Sequence, residues 1–227
     1  MRGYPRTVGR RFSLVVYSLL AASVLSVGTV VFRMYETHNV HYAFLVWNLF
    51  LAWVPLGAAA LAFTLARRGV GPRVWGLVVV WLLFFPNAPY MLTDFIHLGA
   101  EGPFPLWYDA LMLSLFAWTA LMLGFVSLYL IHAIIRRRVR SAVGWGVVAC
   151  VLGLSSIGIY LGRFAHLNSW DAVTRPRLLL AVIRHGTDNP FNVPTTIAGL
   201  LALTASLFVG YVVVYAFSAL RLDRAEA

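Results

Sequence analysis

Apolar residues run along this chain in blocks, separated by short stretches where arginine, proline and glycine collect. A hydrocarbon core about 30 Å thick takes about 20 residues of helix. Six blocks come near that length or exceed it: residues 12–32, 43–65, 74–92, 110–134, 142–161 and 195–220. The pattern predicts an all-α, polytopic membrane helix bundle, with six transmembrane helices in a single integral membrane domain over residues 1–227. The first block follows an arginine-rich start, yet it is too long for a signal-peptide core and has no clear A-x-A cleavage site. It reads as a retained first span.

Prolines mark where these helices should bend. Pro55 lies inside the second block, and Pro86 and Pro89 lie near the end of the third. Each of the latter lacks an N–H and clashes with the carbonyl four residues back, so the third helix is expected to kink or break there. In lipid the freed carbonyls need partners from protein, which Asn87 is placed to supply. Gly158 and Gly162 in the fifth block form a G-x-x-x-G, which permits close helix approach. Residues 162–194 make a long connection. Within it Thr174, Pro176, the run LLLAVI and Gly186 predict a short interfacial helix near 175–185.

Composition agrees with a membrane protein and excludes a soluble domain. The chain is 61% hydrophobic and 11% charged, with a mean hydropathy of +0.81, where soluble domains carry about 25% charged residues. The net charge of +10 comes from arginine alone, since there is no lysine. Those arginines sit between apolar blocks and not along one stripe, so no nucleic-acid partner is expected. Counting Arg33 with the first connection, thirteen arginines fall on one side of the bilayer and five on the other. The positive-inside rule then places both termini in the cytoplasm. The single cysteine, Cys150, excludes an intramolecular disulfide and reads as a small buried apolar residue.

Polar groups gather at the outward ends of three blocks. Asn87, Tyr90, Asp94 and His97 repeat at i, i+3, i+7 and i+10, one face of a helix. Ser156, Tyr160 and Arg163 form a second stripe. Asn168 and Asp171 follow it, Asp109 opens the fourth block, and Asn48 adds an amide from the second. These residues are expected to converge on a small-molecule site at the extracytoplasmic face. Arg163 is the expected anion anchor, or a partner for Asp94 or Asp171. Asp94 and His97 are the pair suited to acid–base work or to metal ligation. There is no paired-His motif, G-x-S-x-G, Walker A or G-x-G-x-x-G, so no cofactor is called for and no metal is expected.

The blocks NLFLAWVP (48–55), FFPNAPYMLTDFIHL (84–98), Trp107–Asp109 and LSSIGIYLGRF with NSWD (154–171) resemble the DUF1361 family of bacterial membrane proteins. The resemblance implies a multi-pass protein of the bacterial inner membrane without an assigned activity, and it supplies no catalytic residue. Two functional classes remain. One is an outward-facing pocket that binds or modifies a small molecule, lipid or envelope precursor. The other is a transporter or channel, disfavoured because no Asp, Glu or Arg stands near mid-membrane. An accessory membrane subunit without a ligand stays open beside them.

Overall fold

The computed structural model describes residues 6–99, 104–164 and 193–219, and these are helical with no strand among them. The helices are α1 (Arg6–Thr37), α2 (Phe44–Ala66), α3 (Pro72–Phe84), α4 (Asn87–Tyr90), α5 (Leu106–Arg136), α6 (Ser141–Phe164) and α7 (Val193–Ala219). Two 3₁₀ segments, His41–Ala43 and Met91–His97, lead into α2 and follow α4. Taking α3 through Met91–His97 as one span, six helices are long and apolar enough to cross a membrane. Residues 165–192, which include Asn168, Asp171 and the expected helix near 175–185, lie outside the described residues.

Of these spans α5 is the most buried and α7 the least. Around α5 the interior holds Met112, Leu113, Phe116, Ala120, Leu123 and Leu128, all fully buried. Small residues set how closely its neighbours approach. A Cβ built on Gly124 would lie 2.9 Å from Ala88 Cβ, so only glycine lets α4 sit this close to α5. On α6, Gly158 faces Pro86, whose Cβ would lie 3.5 Å from an added methyl. Lipid-side burial offers no hydrophobic gain between helices, and polar side chains tie them together instead. Trp81 Nε1 donates to Ser127 Oγ at 3.0 Å, Trp53 Nε1 to Ser23 Oγ at 3.1 Å, and Thr204 Oγ1 to Ser156 Oγ at 2.9 Å.

Local sequence explains several boundaries. Pro72 starts α3 from an extended Gly71 (φ −126°, ψ −175°), where its missing N–H costs nothing. Pro55 lies within α2, which runs unbroken from Phe44 to Ala66. Gly99 takes φ +73° just after the second 3₁₀ segment, a left-handed value that suits glycine and turns the chain.

Two expectations are corrected here. Cys150 is exposed on the outer surface of the helices and not buried, because it falls on the face of α6 turned away from the bundle. Arg33 belongs to α1 and not to the first connection, since the helix continues to Thr37 and the guanidinium is buried against α5.

Candidate functional site

The site is built at the end of the bundle where the third span finishes, called below the His97 end. The backbone there stays right-handed while its hydrogen bonding tightens. Phe85 N still bonds Trp81 O at 2.8 Å, but Ala88 N reaches only to Phe85 O, at 3.1 Å. Asn87 Nδ2 donates to Phe84 O at 2.9 Å, supplying a side-chain donor beside the prolines. From Met91 to His97 the winding is 3₁₀, and Leu98 leaves the helical region with ψ 121°. Three residues per turn put Asp94 and His97 one above the other.

Arg163, one residue before the end of α6, closes this surface. Its Nε and Nη2 donate to Thr93 Oγ1 at 3.0 and 2.7 Å, and Nη2 also donates to Asp94 Oδ1. Nη1 lies 3.3 Å from His97 Nε2, which accepts because a guanidinium has only donors. The guanidinium carbon stands 4.6 Å from the Tyr90 ring centroid, a cation–π distance. Asn48 Nδ2 approaches the other carboxylate oxygen of Asp94 at 3.4 Å. The Asp94 side chain is 2% exposed and that of Arg163 is 13% exposed, so the cation's side chain is the less enclosed of the two.

A second ion pair lies at the same end and is closed. Arg33 grips Asp109 with two parallel bonds, Nε to Oδ1 at 3.0 Å and Nη2 to Oδ2 at 3.2 Å. Its Nη1 donates to Thr37 Oγ1 at 3.0 Å. Aromatic rings flank the guanidinium, with Tyr42 at 5.1 Å and Phe104 at 4.9 Å. Both charged side chains are 2% exposed. The Tyr42 hydroxyl connects the two pairs. It lies 2.7 Å from His97 O and 3.5 Å from Asp109 Oδ2, and the shorter contact takes its one hydrogen.

Of the residues singled out in the sequence, Tyr90, Asp94, His97 and Arg163 therefore meet directly. Asp109 sits close by through Tyr42, but its partner is Arg33 and not Arg163. Asn87 turns back to the Phe84 carbonyl. Asn168 and Asp171 fall outside the described residues. Thr93, Tyr42 and Arg33 were not singled out. Arg33 had a signal, being a cation at the end of an apolar block at the depth of Asp109. Thr93 had none beyond its place next to Asp94, and Tyr42 had none.

The arrangement fits ion binding better than proton transfer. Both Asp94 oxygens have donors and His97 Nε2 faces a cation, so neither group is a base with a free lone pair aimed at open space. Among the described residues no three His, Cys, Asp or Glu side chains converge as metal ligands. The profile of a family described as "Protein of unknown function (DUF1361)" matches residues 47–214, which span Asn48, the third span and Arg163. No curated protein and no solved structure matches the chain.

Proposed function

We infer, from the premise that the chain belongs to the DUF1361 family, that it binds an anionic ligand at the His97 end through Arg163. The ligand carries a phosphate or carboxylate, as a lipid headgroup or envelope precursor does. The arginine asymmetry supports an extracytoplasmic placement of this end, and the family resemblance supports a bacterial inner membrane. One observation carries the reading. Of the two Arg–Asp pairs at this end, the bidentate one is sealed, while in the other the guanidinium engages one carboxylate oxygen and the Arg163 side chain is 13% exposed. A sealed pair serves the fold. A partly exposed cation backed by a buried carboxylate is positioned to exchange its neutral partners for a second anion, which a planar guanidinium binds with two bonds.

A second reading rests on how many of the Arg163 donors are already engaged, by Thr93, Asp94 and His97. In it the cluster is a latch holding α6 to the third span. Thermal unfolding in a neutral detergent separates the two when dodecyl phosphate is added. Binding to the native state alone raises stability by RT ln(1 + [L]/Kd). The ligand reading expects dodecyl phosphate to raise the wild-type Tm and leave that of Arg163→Gln unmoved. A latch gives a lower Tm in Arg163→Gln and no phosphate response in either protein.

A further inference from the structure

The two arginine pairs at the His97 end use the same guanidinium edge differently. A guanidinium is a rigid fork of five N–H groups, and Nε with one hydrogen of Nη2 matches the two oxygens of an oxyanion. Arg33 uses that edge in full, with Nε on Asp109 Oδ1 and Nη2 on Oδ2. On Arg163 the same edge converges on a single neutral oxygen, Thr93 Oγ1, at 3.0 Å from Nε and 2.7 Å from Nη2. The second hydrogen of Nη2 is left for Asp94 Oδ1, and His97 Nε2 lies 3.3 Å from Nη1.

Thr93 is a replaceable occupant of that edge. Its one hydroxyl hydrogen is committed to the Tyr90 carbonyl, 2.7 Å away, so Oγ1 meets both N–H groups as an acceptor only. It brings one oxygen where an oxyanion brings two, and no charge where an oxyanion brings one. A threonine in a helix divides between two χ1 rotamers, because its hydroxyl reaches either of two carbonyls in the preceding turn. Rotation about one bond therefore takes Oγ1 off the fork. Asp94 is held differently. Its side chain is 2% exposed and its second oxygen is approached by Asn48, so parting from Arg163 would strand a buried charge.

We propose that Thr93 is an exchangeable cover on the Nε–Nη2 edge of Arg163. The ligand is an oxyanion, phosphate or carboxylate, that presents two oxygens to this edge once Oγ1 has rotated away. This rests on the reading of Arg163 as an anion anchor, and adds which edge receives the ligand and which neighbour yields. Asp94 and His97 keep their places on Nη2 and Nη1. Thr93 acts through Arg163, as a positioning residue that competes with the ligand.

The test is isothermal titration of the full chain in a neutral detergent with dodecyl phosphate. Thr93→Val keeps the shape and removes the oxygen, while Thr93→Ser keeps the oxygen. Thr93→Val should bind dodecyl phosphate about tenfold more tightly than wild type, the worth of a hydrogen bond to a charged group. Thr93→Ala, which also lacks the oxygen, should gain likewise, and Thr93→Ser should bind as wild type does. Adding Arg163→Gln to Thr93→Val should abolish the binding, because the gain acts through the guanidinium. Without ligand, Thr93→Val should unfold at a lower temperature than wild type, two donors having lost their acceptor. Tighter binding by a less stable protein is what a merely structural threonine would not give. An unchanged helical circular-dichroism spectrum shows that each variant is folded. Equal or weaker binding by Thr93→Val and Thr93→Ala overturns the proposal and leaves Arg163 as the anchor. So does a Thr93→Ser protein that binds as tightly as Thr93→Val. Binding by neither wild type nor Thr93→Val overturns the anchor reading itself, and this proposal with it.

Discussion

Asp109→Asn removes the anion from the sealed pair and leaves the Arg33 guanidinium buried without its counter-charge. The two side chains are 2% exposed and joined by bonds of 3.0 and 3.2 Å. Charge centres about 4 Å apart attract by about 4 kcal/mol at an effective dielectric of about 20. That agrees with the about 3–5 kcal/mol lost when one partner of a buried pair is removed. An exposed pair would lose no more than about 1 kcal/mol. Reversible unfolding by SDS in mixed micelles measures the difference. Asp109→Asn should cost about 3–5 kcal/mol, and adding Arg33→Gln should restore more than half of it, because the stranded cation is then gone. A loss below about 1 kcal/mol for the single variant would show a solvated pair. So would a double variant no more stable than the single, and the distinction between sealed and open pairs would fall.

Other substitutions test the remaining links. Gly124→Ala places a methyl 2.9 Å from Ala88 Cβ and should cost about 1–3 kcal/mol in the same unfolding assay. Gly57→Ala meets nothing within 4 Å and should be tolerated. Tyr42→Phe removes the donor to His97 O and should lower stability by about 1 kcal/mol, read as a shift in the SDS midpoint. Reporter fusions should be cytoplasmic at Gly69 and Ser141 and extracytoplasmic at Gly99, and a reversal at any of the three breaks the arginine-based orientation.

The six spans were legible because a bilayer demands long apolar helices, and little else makes such blocks. The meeting of Asp94 with Arg163 was legible for a related reason. Alternating spans bring the end of the third and the end of the fifth block to one depth, where a cation and an anion are costly apart. Where inference from the chain fell short, a rule was applied outside its range. Helical spacing grouped Asn87 with Tyr90, Asp94 and His97, but Asn87 turns back to the Phe84 carbonyl, and the 3₁₀ winding from Met91 brings Thr93 to Arg163 instead. Arg33 was counted as a loop anchor because charge at the end of an apolar block usually is one, whereas Asp109 draws it into the bundle. Cys150 was taken as buried from its type alone, yet in a membrane protein the outer surface is as apolar as the interior, so residue type does not tell inward from outward.

The claim that Arg163 anchors an anionic ligand is tested most directly by native mass spectrometry of the protein extracted from its own membrane in mild neutral detergent. Spectra of wild type, Arg163→Gln and Tyr42→Phe are compared. Wild type and Tyr42→Phe should release one recurring phosphate- or carboxylate-bearing species on collisional activation, and Arg163→Gln should release none of it. The same species released equally from Arg163→Gln, or none from wild type, would contradict the account.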